Sequence, residues 1–462
     1  MLHAAAVLSV LLLMPEASGA GPADGIAFPG ADGFGAVATG WKGGEIHRVS
    51  SLADDGPGSL RACAASSGQP RICVFSVSGT IELRGPIKLP SNIYVAGQTA
   101  PGDGIQLRLV GGKHGPLILK NVNDVVVRHL KVRPGPSPTP SPSVDAITVE
   151  NGQRIYLGNL SMAFATDETF NVHVSGATAA DITLADSILA YSLDRSNHPK
   201  GRHSKGALIC STENVNNACG RISLHRNLFA HHRDRQPDVK GTSIGPVEVI
   251  NNVFYNPVSQ FGEFYDLIGD AKIAYLGNVA LSGPNTIRKT PEAVQVFEWE
   301  DAFHVELLAE DNIATSAQGC RVRQMHVLDP IAQQQQVAAP GWQTNIAARP
   351  AAQTLGDVLG IAGDQILGRR APDALDQRVV SDVRNCGGAI INEVTQVGGW
   401  PSIASADPAS QTDSDGDGFP DLWEAGQSGL DPNEADDPWE GNPQTGLSHV
   451  ETWLAALAGD GS

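Results

Sequence analysis

The chain has 462 residues, of which 18% are charged, 5% aromatic and 51 glycine, with a formal net charge of −18. So acidic a balance argues against a nucleic-acid partner, whose phosphates call for a basic surface, and the 41% apolar content excludes a disordered polymer. Sparse aromatics and abundant glycine suit many short strands joined by tight turns better than a helical bundle.

Residues 1–20 have the layout of a signal peptide: His3 near the start, an apolar run from Ala4 to Met14, then Ser18, Gly19 and Ala20 at the cleavage positions. That run is too short to cross a bilayer, which takes about 20 residues, so the expectation is a secreted or periplasmic protein without a membrane anchor. In an exported chain the six cysteines suggest disulfides. Cys63/Cys73, Cys210/Cys219 and Cys320/Cys386 are nearest neighbours, and bonds are expected for the first two pairs, although other pairings stay open.

Residues 21–330 read as one large strand-rich body. Short apolar stretches such as Ile93-Tyr94-Val95, Val125-Val126-Val127 and Ile182-Thr183-Leu184 are separated by Gly, Asn, Asp or Pro, with no helical periodicity between them. The segments starting at Ile182, Ile222, Val247 and Ile273 each place a small polar residue, Ser187, Asn227, Asn252 or Asn278, five positions after the strand start. The repeat is about 25 residues, the signature of stacked coils that bury an apolar face only together: a parallel β-solenoid in an all-β chain. The aligned asparagines are expected to stack as a ladder inside one bend.

Pro134 to Ser143 is a proline-rich excursion, read as a stiff surface loop beside the cleft. Residues 331–405 lose the repeat, become rich in Gln and Ala, and are expected to form a capping or side-packed segment, with a helix from Ala351 to Gly360. Residues 406–462 form a separable tail. Asp413, Asp415, Asp417, Asp421 and Glu424, with Gly418 at the sharp turn, match the twelve-residue calcium loop of EF-hands at its specified positions. Carboxylates converging this closely repel one another unless a cation neutralises them, so a structural Ca2+ site is expected there. A short closing helix follows from His449.

Three groups in the middle of the chain carry chemistry: Val144-Asp145-Ala146, Thr166-Asp167-Glu168-Thr169-Phe170-Asn171, and His231-His232-Arg233-Asp234-Arg235-Gln236-Pro237-Asp238-Val239-Lys240, with His203-Ser204-Lys205 between the last two. On a solenoid, features one coil apart become neighbours at about 4.8 Å, so acidic groups of earlier coils meet cations of later ones. These motifs, with Ala27-Phe28-Pro29-Gly30-Ala31-Asp32-Gly33 and Asp55-Gly56-Pro57-Gly58-Ser59-Leu60-Arg61, resemble the pectate lyases of polysaccharide lyase family 1. The calcium-loop tail also resembles one that many bacterial members carry. The resemblance implies a right-handed parallel β-helix with a cleft that binds polygalacturonate, a pectin-like acidic polysaccharide, together with calcium. It implies that Arg235 is the catalytic base, that Lys205 and Lys240 bind substrate, and that Asp145, Asp167 and Asn171 ligate calcium. The protein is expected to act as a monomer.

Chemistry agrees with that assignment. Removing the C5 proton of a uronate builds negative charge beside a carboxylate, so the site needs cations on that carboxylate and a base nearby. Arginine can serve as base only if its surroundings disfavour its charged form. Compared with the family pattern, Ser143 and Asn171 stand where carboxylates are usual, Asp238 where a basic residue is usual, and Lys240 where an arginine is usual. Fewer ligand charges predict weaker calcium binding in the free cleft. Two other readings compete: hydrolysis on the same scaffold by paired carboxylates, and an inactive wall-binding or adhesion protein.

Overall fold

The computed structural model describes residues 25–460 apart from 66–68, 213–217, 242–243, 268, 300–301, 406–407 and 442–444. The signal peptide expected at residues 1–20 lies outside them. The described strands form three parallel sheets, one of ten strands and two of nine, and the chain visits them in rotation as it climbs, so that each circuit is one coil of a right-handed β-helix.

Register follows from the repeated aliphatic positions. In the ten-stranded sheet Ile155, Ile182, Ile222, Val247, Ile273 and Leu307 are successive partners, and all are fully buried. β-branched side chains favour the extended backbone, and like stacks on like between coils. A one-residue slip would turn the whole column outward.

The expected ladder is present. The backbone N–H of Asn227 donates to Asn252 Oδ1 at 3.0 Å, and that of Asn252 to Asn278 Oδ1 at 2.9 Å. The ladder starts at Ser187, whose N–H donates to Asn227, and continues to Asn312. Asn227, Asn252 and Asn278 are fully buried, and each side chain satisfies a bend that would otherwise leave polar backbone unpaired.

The ends and sides are closed by other segments. The helix Leu60–Ala65 sits at the N-terminal end, tied down by the Cys63–Cys73 disulfide; Cys210–Cys219 and Cys320–Cys386 are also bonded, so the third pair forms as well as the two expected. The helix Pro330–Gln334, capped by Asp329, packs on the last strands. The helices Ala351–Ile361 and Ala374–Asn385 bury Val358, Leu359, Leu375, Val379 and Val383 against Ile188, Leu228, Val253 and Val279 of the coils. A buried ion cluster joins the same segment to the solenoid. Asp364 accepts from Lys131 at 2.5 Å and Arg370 at 2.6 Å, and Arg133 pairs with Asp373 and Asp376. The tail helix His449–Ala458 lays Val450, Trp453 and Leu454 into a cluster with Trp41, Tyr94 and Val126. No helix among the described residues is long and apolar enough to cross a membrane.

Candidate active site

The sequence-predicted cleft residues converge on the outer face of the nine-stranded sheet that contains Ile147–Glu150, Glu168–His173, Lys205–Ser211, Asp238–Val239, Gly262–Tyr265 and Glu292–Phe297. Inward positions such as Val149, Phe170, Val172 and Phe264 fill the core, which turns the alternate positions outward. Register then sets Thr148, Asn171, Leu208, Asp238, Glu263 and Gln295 side by side, one per coil. Two glycines permit close approach of the loops to this sheet. A Cβ on Gly206 would lie 2.2 Å from the Arg235 carbonyl oxygen, and one on Gly115 would lie 1.9 Å from that of Asp145.

At the N-terminal end of this face lies a cavity of about 370 Å3 lined by Lys88, His114, Lys120, Ser143, Asp145, Asp167, Asn171 and His173 among others. The proline-rich loop borders it through Pro142 and Ser143. At its inner edge, carboxylate oxygens of Asp145, Asp167 and Glu168 all lie within 4.8 Å of one another. Burial, then the charges of Glu168 and Asp167, push Asp145 well above the usual carboxylate range; Glu168 is raised to about 7 by burial and Asp167. An all-oxygen acid triad of this kind suits a hard divalent cation such as calcium. Asn171 stands beside it, its Nδ2 donating to Asp145 Oδ2 at 3.2 Å while its Oδ1 accepts from Ser211. Glu168, which the sequence offers as a substitute for the missing carboxylates, is the third member of the triad.

Asp167 is braced from behind. His203 Nε2 lies 2.5 Å from Asp167 Oδ1, and the His198 ring stacks on His203 at 3.8 Å between centroids and 10° between planes. Both Nε2 atoms face Asp167 Oδ1, His198 at 3.7 Å, and the ligand atoms of Asp167, His198 and His203 lie within 4.8 Å of one another. Burial lowers both histidines to about 4, which leaves them neutral at pH 7.

Lys205, Lys240 and Arg235 are each engaged by a carboxylate of the chain itself. Lys205 Nζ meets Asp234 Oδ1 at 2.6 Å, Lys240 Nζ meets Asp238 Oδ1 at 3.1 Å, and Arg235 donates to Glu168 and lies 3.5 Å from Asp238. Arg235 has a left-handed backbone, φ 60°, and its N–H donates to Glu263 Oε1 at 3.0 Å. Burial opposes its charge, but Glu168, Asp238, Asp234 and Glu263 outweigh burial and raise its pKa above the usual value. These carboxylates hold the guanidinium protonated. Asp234 and Glu263 were not singled out from the sequence; they become site residues only through register. Among the histidines, His225, His231 and His232 are buried away from this face against Asp32, Asp382 and Ser192 respectively.

The tail loop gathers Asp413, Asp415 and Asp417, and a second group joins Asp417 and Glu424 to Asp436, which the motif did not include. Glu424 is fully buried with neither carboxylate oxygen hydrogen-bonded, and Asp415 Oδ2 is likewise buried without a partner. Asp421 closes the loop by accepting from the N–H and Oγ of Ser414. Arg48 of the first strand donates to Asp413 at 2.6 Å, which ties the loop to the solenoid, and Phe419 packs edge-on to Trp453 of the tail helix at 5.4 Å.

The fold and site define a class by structure: a right-handed parallel β-helix with a cleft of paired carboxylates and cations on one sheet. No family model matches the chain, but curated relatives do. It is 32% identical over 436 residues to "Probable pectate lyase C" of Aspergillus terreus and 31% identical over 439 residues to that of Emericella nidulans, with 94% of each chain covered in both comparisons. Among solved structures, a Bacillus subtilis pectate lyase superposes with a TM-score of 0.51 at 15% identity, covering 72% of this chain and 96% of that one. The cedar pollen allergen jun a 1 does so at 0.50 and 18%, covering 72% and 92%; both likenesses concern the fold. The chain belongs to the pectate lyase family and is a polysaccharide lyase. Membership disfavours the hydrolase and the inactive adhesion readings.

Proposed function

We propose that the chain cleaves polygalacturonate or a related acidic polysaccharide by calcium-assisted β-elimination on this face, with Arg235 as base. The observation that carries the reading is the position of Glu168, shared between the acid triad and Arg235. Asp145, Asp167 and Glu168, with Asn171 beside them, would hold calcium, and the ion would polarise the substrate carboxylate and so acidify the C5 proton. On engaging the ion, Glu168 would no longer neutralise Arg235, and the proton affinity of the guanidinium would fall. Lys205 and Lys240 exchange Asp234 and Asp238 for substrate carboxylates and hold the uronate. Arg235 removes the C5 proton, the C4–O4 bond breaks, a C4–C5 double bond forms, and the leaving oxygen takes a proton from solvent.

The tail residues Asp413, Asp415, Asp417, Asp421 and Glu424, joined by Asp436, would hold a second, structural calcium; the unpartnered buried oxygens of Glu424 support that role. The same reading divides the chain into a leader at 1–20, a catalytic solenoid at 21–330, a side-packed segment at 331–405 and the tail at 406–462. It takes the protein to be an exported monomer, and the three disulfides support export. Product analysis on polygalacturonate tests the chemistry. Elimination yields an ultraviolet-absorbing unsaturated uronate, whereas new reducing ends without that absorbance would refute it.

A further inference from the structure

A second cavity, of about 450 Å3, lies beside the catalytic sheet; Arg195, Arg202 and Arg233 line it with Asp194, and Val258 and Ile287 give it an apolar wall. All six residues sit on connections that lead into strands of that sheet: 191–204 before Lys205–Ser211, 231–237 before Asp238–Val239, 256–261 before Gly262–Tyr265 and 283–291 before Glu292–Phe297. The cavity therefore follows one rim of the cleft over four coils. Its walls are pinned: the N–H of Arg195 donates to Asn392 Oδ1, that of Val258 to the Arg233 carbonyl and that of Ile287 to the Val258 carbonyl, each at 3.0 Å. Its charge is unbalanced. Asp194, 6% exposed, is the one carboxylate in the lining, and it lies 3.4 Å from Arg233 and 3.9 Å from Arg202, beyond the about 2.7–2.9 Å of a charge-assisted hydrogen bond. Arg195 has no ion-pair partner among the described residues. Three guanidiniums thus share one acid in a chain whose net charge is −18. The cavity also adjoins the chemistry: Arg233 stands two residues from Arg235, at most about 7 Å along the chain, and the Asp194 carbonyl accepts from the N–H of His203, the residue that meets Asp167.

We propose that this rim cavity is an anionic subsite, in which Arg195, Arg202 and Arg233 take the carboxylate of a uronate other than the one being cleaved. A guanidinium presents paired donors that match a carboxylate, and an added anion relieves the repulsion among three like charges. Val258 and Ile287, the latter 69% exposed, meet the non-polar side of the same sugar ring. Lys205 and Lys240 must give up Asp234 and Asp238 before they can hold substrate, whereas Arg195 has no carboxylate to displace. The subsite recognises a free acid without calcium, so esterification of that unit abolishes the contact. It adds affinity for the polymer and leaves the chemistry at C5 unchanged.

This inference rests on the reading of the cleft as a lyase site, and its test separates the two. Arg195 and Arg202 are exposed, so replacing both by Gln leaves the core intact. In the ultraviolet assay on polygalacturonate, Arg195→Gln with Arg202→Gln is expected to raise KM at least about fivefold with kcat within about twofold of wild type; an unchanged KM overturns the subsite. Calorimetry in an Arg235→Ala background decides the question without turnover. Octagalacturonate should bind at least about fivefold more weakly once both arginines are replaced, and its fully methyl-esterified form should bind the two proteins equally. An equal Kd for the free acid, or the same loss for the ester, overturns the proposal. Trigalacturonate identifies the source of the carboxylate: two equivalents falling to one in the arginine variant mark a separate chain in the cavity, and one equivalent in both proteins marks the chain that also fills the cleft. Wild type that yields no unsaturated product while the difference in octamer binding persists would refute the lyase reading and leave the subsite standing.

Discussion

Glu168 accepts a hydrogen bond from Arg235, two coils away, while lying within the acid triad of Asp145 and Asp167. One carboxylate thus serves two claims: it holds the guanidinium charged, and it completes the proposed cation site. Glu168→Gln keeps the shape and removes the charge. The calcium concentration for half-maximal activity is expected to rise about tenfold or more, the scale of losing a coordinating or orienting carboxylate. A calcium titration of product formation checks this; an unchanged midpoint would count against Glu168 as a ligand.

The tail makes a separate prediction. A ligand that binds only the folded state stabilises it by about 2.7 kcal/mol at a hundredfold excess over Kd. Calcium is expected to raise the Tm of the wild type, and Glu424→Gln to reduce that gain. Titration calorimetry should show one fewer equivalent of bound calcium in the variant. Equal stoichiometry in the two proteins would place the calcium elsewhere.

Asp364 is fully buried between Lys131 and Arg370. Burial would raise its pKa, but Arg370 and Lys131 win and hold it far below the usual range. Asp364→Asn leaves two buried cations short of an anion and should cost about 3–5 kcal/mol. Urea unfolding measures the loss, and a cost under about 1 kcal/mol would mean that the cluster relaxes by hydration.

The buried histidines set an acid limit. Burial lowers His129 and His225 to about 4 and His232 to about 3, against about 6.5 unfolded. A depressed folded pKa gives stability that is complete above pH 6.5 and is lost as pH falls towards 4, because the unfolded chain takes up protons first. With a chelator present throughout, the raised carboxylates of Glu168, Glu263 and Glu424 act in the opposite sense as pH falls, so the histidine contribution is read as a difference. His129→Gln should lose less Tm than the wild type between pH 7 and 4; an equal or larger loss in the variant would contradict the assignment.

The architecture was legible because it repeats. The asparagines at 227, 252 and 278 and the aliphatic column at 182, 222, 247 and 273 are periodic, and periodicity survives in one dimension. The tail loop was legible because its carboxylates are contiguous. The catalytic face was legible only in part. Asp145, Asp167, Lys205, Arg235 and Lys240 sit in motifs, whereas Asp234 and Glu263 matter because register puts them beside Lys205 and Arg235, and register cannot be read from either residue. Asp436 joins Glu424 across a loop of variable length for the same reason. The sequence reading required surroundings that discharge Arg235; the folded chain instead surrounds it with Glu168, Asp238, Asp234 and Glu263, which raise its pKa.

The central claim is that Arg235 is the base. Its most direct test is kcat for Arg235→Ala on polygalacturonate at saturating calcium, followed by ultraviolet absorbance of the unsaturated product, with Tm measured on the same sample. Removing a general base costs about 10²–10⁴-fold. The account predicts a fall of at least about a hundredfold with the thermal transition retained. A folded variant whose kcat stays within tenfold of wild type would contradict it.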